Sequence, residues 1–371
     1  MQNTNLLAKP HYPILDGLRG VAAIMVIIFH LFEAHATSHL TQIINHGYLA
    51  VDFFFVLSGF VIGYAYNDRW EILSTKDFFK RRLIRLQPMV VMGSVIGAAL
   101  FYFQGFDMFP MIHQVPVWQM LLIMLIGCTL IPVPTSMDIR GWQEMHPLNG
   151  PGWSLFFEYV GNILYALVIR HFSKTLLTIL VVSSGIFLLH TAVTSPHGDI
   201  VGGWSLTAEQ LHIGFARLLY PFFVGLLLQK ITKPSNLNNG FLWCSLLIIA
   251  VLAFPRIGGD KYLWLNGLYD AGSIIIFLPI IVWLGASSTL SGKKTSQICK
   301  FLGNISYPIY ITHYPLIYIY TGWVVQHKLT ISQTWPYALL VIVTAISIAY
   351  ACLKWYDEPI RKWMTKKWIT Q

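Results

Sequence analysis

The sequence predicts an all-α membrane protein: a polytopic bundle of about ten transmembrane helices plus one short re-entrant or interfacial helix. Three observations carry that prediction. Of 371 residues, 55% are hydrophobic and only 11% are charged, against about 25% charged in a soluble domain. Mean hydropathy is +0.59. The apolar residues also gather into eleven runs, most of them near the ~20 residues that a helix needs to cross a hydrocarbon layer.

The runs fall near residues 13–32, 48–66, 88–105, 118–132, 153–169, 175–193, 211–228, 241–255, 264–287, 301–325 and 335–355. Pro88 is expected to start the third and Pro221 to kink the seventh. The fourth is short: its apolar heart, LLIMLIGCTLIP, closes on Pro132 and Pro134. An apolar stretch of about 10–14 residues is more often re-entrant or interfacial than spanning.

Basic residues then orient the chain, because cytoplasmic loops carry the excess of Lys and Arg. Residues 67–85 hold Arg69, Lys76, Lys80, Arg81, Arg82 and Arg85, while residues 33–47 hold neither Lys nor Arg. The former are expected inside and the latter outside. If the fourth run dips and returns, Arg170–Lys174, Gln229–Lys233, Lys293, Lys294, Lys300 and Arg361–Lys367 also lie inside. A full crossing would put the first two of these groups outside. The expected topology therefore has ten crossings, both termini cytoplasmic, and residues 135–152 and 194–209 facing outward. No internal repeat or low-complexity linker divides the chain. It reads as one membrane domain over 1–371, with no appended soluble domain.

The net charge of +9 follows from that cytoplasmic bias rather than from a nucleic-acid partner. Cys128, Cys244, Cys299 and Cys352 are scattered, without CxxC or metal spacing, and read as small packing residues. The first apolar stretch lacks a small-residue cleavage site and carries ionisable residues. It reads as a retained helix, not a signal peptide.

Ionisable residues at membrane depth are expensive and usually face a cavity or a partner. In LDGLRGVAAIMVIIFHLFEAH, Arg19 and His30 bracket ten residues, which places them ~16 Å apart along one helix. Glu158, after GPGWSLFF, and His313, in FLGNISYPIYITHYPL, reach the same outer half of the layer as His30. Glu158 beside His30 would orient the imidazole and stabilise its protonated form, or else serve as an interhelical polar clamp. For His313 the catalytic and packing readings stand even.

Five further features stand out. Arg82 and Arg85 share a helical face, and forked guanidinium groups at the membrane boundary suit a phosphorylated ligand. From charge alone, a positive-inside anchor is the preferred explanation. Asp52 can be a simple helix N-terminal charge. Ser58 and Gly59 permit close helix approach, and Arg217 either neutralises Glu158 or lines the cavity. The aromatic residues, 13 Trp, 18 Tyr and 23 Phe, read as interfacial belts and packing.

Together these segments resemble the acyltransferase-3 family of integral membrane acyltransferases over nearly the whole chain. The family's Arg–ten residues–His motif, VDFFFVLSGF, RRLIRLQP, GPGWSLFFE, FFVG, SYPIYITHYP and YDEPIRK occur here in family order. The resemblance implies transfer of an acyl group, commonly acetyl, from cytosolic acyl-CoA to a hydroxyl, usually of a cell-surface or exported glycan. It implies essential roles for Arg19 and His30, coenzyme A phosphates held by Arg82 and Arg85, and residence in a bacterial inner membrane. It implies no metal.

The expected mechanism has acyl-CoA entering from the cytosol and reaching past Arg19 toward His30. His30 acts as general base with Glu158 orienting it, or else forms an acyl-histidine intermediate. Arg19, Arg217 or a hydroxyl stabilises the oxyanion. The cavity is completed by Asp52, Ser58, Arg217 and His313. A transporter or flippase of a lipid-linked glycan or small molecule is the rival class, and a membrane sensor or scaffold the third. The identity of the acyl group, the acceptor hydroxyl and the oligomeric state carry no signature in the sequence.

Overall fold

A computed structural model describes residues 9, 11–38, 40–233, 235, 237–290 and 292–369. Helices account for all its regular structure, and no strand occurs among the described residues.

The first helix, α1 (Pro13–Glu33), opens on a proline, whose missing N–H costs nothing in a first turn. A short turn at Gly47–Leu49 leads into α2 (Ala50–Tyr66). In α3 (Thr75–Leu100), Ser74 accepts a hydrogen bond from Asp77 N at 3.1 Å and caps the helix. This start overturns one expectation. Pro88 lies inside α3 rather than at its beginning, so Lys76–Arg85 form the first turns of a membrane helix. The serine cap sets where α3 begins, and burial of Leu86, Pro88, Met89 and Val90 in the bundle supports the helix through the proline.

The short run yields α4 (Val117–Gly127), eleven residues long. Next come α5 (Gly152–Leu167) and α6 (Lys174–Val193), the latter capped by Ser173. Thr207 caps α7 (Ala208–Ile231), which contains Pro221, and α8 (Gly240–Ala253) follows. The run 264–287 becomes α9 (Leu263–Gly272), a π-helical segment at Ser273–Phe277, and α10 (Leu278–Ser287).

The expected run 301–325 is not one helix. It divides into α11 (Lys293–Thr312) and α12 (Tyr314–His327), with His313 at the junction. Pro315 lacks the N–H needed to continue the preceding ladder. A capping box at Thr330 and Gln333 starts α13 (Ile331–Cys352). A π-helical segment at Leu353–Asp357 then leads into α14 (Glu358–Trp368).

Among the described residues, seven spans are long and apolar enough to cross a membrane: α1, α2 with its leading turn, α3, α6, α7, α9–α10 and α13–α14. The chain is an integral, polytopic helical bundle. Shorter apolar helices, α4 and α8 among them, complete it.

Two close helix pairs position everything else: α1 against α11 and α2 against α7. In the second, each helix offers a glycine to the other's backbone. A Cβ on Gly59 would lie 2.1 Å from Phe222 O, and one on Gly225 would lie 2.2 Å from Val56 O. Backbones can approach this closely only where side chains are absent. This contact fixes the register of α2, and with it Asp52 and Ser58.

Gly225→Ala should therefore force α2 and α7 apart at a cost of ~1–3 kcal/mol. Thermal unfolding of the solubilised protein should show a lower midpoint. Gly272→Ala, where nothing lies within 4 Å of the new methyl, should leave the midpoint equal or higher.

Candidate active site

Two cavities meet inside the bundle. The larger, about 650 Å³, is lined by His30, Glu33, Arg217 and several aromatic side chains. Residues of the segments 34–42, 142–151 and 201–204 also line it, so these loops lie at its mouth. The smaller, about 100 Å³, is lined by Asp16, Arg19, Arg82, Arg85, Glu158 and Ser306 with others. Val51 and Tyr310 line both. Tyr310 is 6% exposed, and its hydroxyl lies 2.7 Å from Ser154 Oγ. A tyrosine–serine contact therefore stands between the two spaces.

α1 contributes to both. Near its start, Arg19 Nε donates to Ser306 Oγ at 2.7 Å, and Nη2 donates to Gly303 O at 3.1 Å. Asp16 Oδ1 stands 3.3 Å from the same guanidinium. At the far end, His30 Nδ1 is 2.7 Å from Glu33 Oε2. A carboxylate can only accept, so Nδ1–H donates and the lone pair lies on Nε2. Tyr314 meets the imidazole edge-on at 4.8 Å, and His313 stacks on it at 5.9 Å. These contacts define the ring's plane.

Glu158 does not accompany His30. Its Oε1 accepts from Arg82 Nη2 at 2.5 Å and from Ser58 Oγ at 3.0 Å, in the smaller cavity. The expected His30–Glu158 pair is replaced by His30–Glu33, one helical turn away on the same face. The reason is geometric: α5 brings Glu158 within reach of Arg82 on α3 and Ser58 on α2. That pairing also removes Arg82 from the set of free cations. Arg82 is only 5% exposed. Arg85 and Arg19 are the guanidinium groups of this cavity not committed to Glu158.

Arg217 lines the larger cavity, and its partner is Asp52 rather than Glu158. Nη2 reaches Asp52 Oδ2 at 2.7 Å, and Nε reaches Oδ1 at 3.2 Å. Further bonds to Tyr48 O and Gly202 O complete the fork. Both residues are at most 2% exposed, so Asp52 is more than a helix-end charge. Ser58 belongs to the smaller cavity. His313 is fully buried, with Nδ1 3.0 Å from both Ile309 O and Tyr310 O, and it backs His30 from outside the larger cavity's lining.

Several residues of the site carried no expectation: Glu33, Ser154, Ser306, Tyr310 and, in the loop at the mouth, Trp142 and Glu144. Only Glu33 had a sequence signal, its spacing of three from His30. Glu144 accepts from Tyr318 Oη at 2.6 Å and stands 3.4 Å from Arg140 Nε. Burial raises its carboxyl to about 7, against the opposing pull of Arg140. Among the described residues, no group of three His, Cys, Asp or Glu is placed to hold a metal ion.

The acyltransferase-domain family model matches residues 12–354. O-acetyltransferase OatA of Staphylococcus aureus strain NCTC 8325 is 26% identical over 377 residues, covering 95% of this chain and 58% of its own length. The chain thus spans less than two thirds of that relative. Protein 2 in picA locus of Rhizobium radiobacter is 34% identical over 163 residues, covering 41% of this chain and 80% of that protein. No solved structure matches. With the family match running from the start of α1 to the π-helical turn after α13, the chain belongs to the acyltransferase-3 family.

Proposed function

We propose that this protein is a membrane O-acyltransferase that moves an acyl group, most simply acetyl, from cytosolic acyl-CoA to a hydroxyl of a glycan acceptor. One observation carries the reading. A cavity with guanidinium groups and a cavity with a carboxylate-oriented histidine share a wall at Tyr310. The first suits a polyphosphate donor, the second the activation of an alcohol.

In this reading the Arg19 cavity opens toward the cytosol and the His30 cavity toward the outside of a bacterial inner membrane. Arg85 and Arg19 attract the coenzyme A phosphates, and Arg82 keeps Glu158 neutralised. The apolar faces of Phe54, Phe55 and Ile62 line the passage for the pantetheine arm. The thioester reaches His30 once the Tyr310–Ser154 contact opens.

There Nε2 takes the proton of the acceptor hydroxyl while its oxygen attacks the thioester carbonyl. The tetrahedral intermediate collapses and expels coenzyme A thiolate, which receives that proton from the imidazolium. Glu33 stabilises the imidazolium through Nδ1, as a carboxylate does in a hydrolytic triad. Its presence favours base catalysis over an acyl-histidine intermediate. The Tyr310 hydroxyl, at the wall of both cavities, is placed to donate to the developing oxyanion.

A transporter would also need an intramembrane cavity, but it would leave the thioester intact. Radiolabelled acetyl-CoA with the purified protein separates the two: a transferase consumes the thioester, a transporter does not. His30→Ala should lower transfer by at least ~10²-fold with insertion unchanged, and wild-type turnover would remove His30 from the mechanism. Glu33→Gln should lower kcat ~10-fold or more while KM for acyl-CoA holds, because it leaves the imidazolium without its charge partner. An unchanged kcat would make Glu33 a bystander.

The two arginines should separate. Arg85→Ala should raise KM for acyl-CoA ~10-fold, since one charge-assisted phosphate contact is worth ~1.5–3 kcal/mol. Arg82→Ala should instead lower the thermal midpoint, because breaking a buried ion pair costs ~3–5 kcal/mol. Equal effects on KM would return Arg82 to the phosphate site.

A further inference from the structure

The His30 cavity carries more information than its histidine. Its wall is dominated by aromatic rings: Trp142, Trp153, Trp204 and Tyr314 face it together with Tyr48 and Tyr318. A hexose has an apolar C–H face and a rim of hydroxyls. Flat aromatic rings beside a few polar groups match that surface.

The charges on the wall are asymmetric. Glu33, Glu144 and Arg217 are its charged residues apart from His30. Arg217 is already matched by Asp52 at 2.7 Å. Arg140, beside Glu144, is likewise committed to that carboxylate, to Gln104 and to Pro147 O. Among the described residues, no unmatched cation is left on the lining to receive an anion, while Glu33 stands against Nδ1 of the imidazole whose Nε2 reacts.

Trp142 is held for contact. It lies at the mouth, 36% exposed, with its ring 4.9 Å from Phe109 and 6.2 Å from Tyr318. Its backbone is pinned: Asp138 accepts from the N–H groups of Arg140, Gly141 and Gln143 at 2.8–3.0 Å. The flanking Gly141 and Gln143 adopt φ of +100° and +54°. A loop fixed this way presents the indole without an ordering cost on binding.

We propose that the His30 cavity selects an uncharged saccharide unit, stacked on Trp142, and rejects acidic sugars through Glu33. This rests on the transferase reading above and adds the charge class of the acceptor and its stacking residue.

The test uses the full-length protein in phospholipid nanodiscs with radiolabelled acetyl-CoA. The acceptors are matched pairs, methyl glucoside with methyl glucuronide and methyl galactoside with methyl galacturonide. Within a pair, the neutral glycoside should show at least ~10-fold higher kcat/KM than its acid. Trp142→Ala should raise KM for the neutral acceptor ~10-fold, with kcat and KM for acetyl-CoA held. Trp142→Phe should restore most of the loss, which a folding defect would not predict.

An acid accepted as well as its neutral partner would overturn the proposal. So would an unmoved acceptor KM in Trp142→Ala, or acetyl-CoA consumption with no sugar of either charge acylated. Those outcomes leave the transferase reading standing. No consumption of acetyl-CoA under any condition would remove that reading, and this one with it.

Discussion

The constraint beneath this architecture is that a charge inside a hydrocarbon layer must have a partner. Removing an ion from water costs several kcal/mol even after relaxation, and a bilayer offers no water to relieve it. Four charges at the site show it. Arg217 lies on Asp52, Arg82 on Glu158, His30 against Glu33, and Arg19 between Asp16 and the Gly303–Ser306 turn. Two of the pairs join helices far apart in sequence, α2 to α7 and α3 to α5, and Arg19's bonds to Ser306 and Gly303 tie α1 to α11. Charge pairing and helix packing are thus two descriptions of one scaffold.

The same constraint separates holding from doing. A guanidinium fully engaged by a carboxylate positions helices, and one that retains capacity can meet a ligand. By that criterion Arg82 and Arg217 are structural members of the wall, and Arg85 is the guanidinium that the proposed function assigns to a phosphate. His30 has one nitrogen committed and one free, the arrangement a proton carrier needs. Separating the two cavities by Tyr310 has a chemical consequence. In the proposed reaction, a thioester kept behind a closed wall would meet the acceptor before it meets bulk water.

Much of this was legible in the sequence. Hydropathy and length gave the helical bundle and singled out the short α4. The spacing of Arg19 and His30 placed both on one helix and in two different depths of the protein. Three things were not legible. Pro88 and the break at His313 depend on capping and tertiary support rather than on apolar content, so α3 begins earlier and α11–α12 divides. The partner of each charge depends on how helices rotate about their axes, which a single sequence does not encode. Glu158 and Arg217 were therefore recognised as intramembrane charges without their actual partners, and Asp52 was read only as a helix-end charge. The loop bearing Trp142 and Glu144 has neither periodicity nor motif, and only the folded chain brings it over His30.

The central claim is a relay across the bundle, donor on one side of Tyr310 and acceptor on the other. Reconstitution in sealed proteoliposomes of known orientation tests it most directly. Labelled acetyl-CoA is supplied only to the face bearing the Arg19 cavity, and the acceptor glycan only to the face bearing the His30 cavity. The account predicts acylated glycan on the His30 side and free coenzyme A on the Arg19 side. Acylation only when donor and acceptor share a compartment, or intact acetyl-CoA after prolonged incubation, would contradict it.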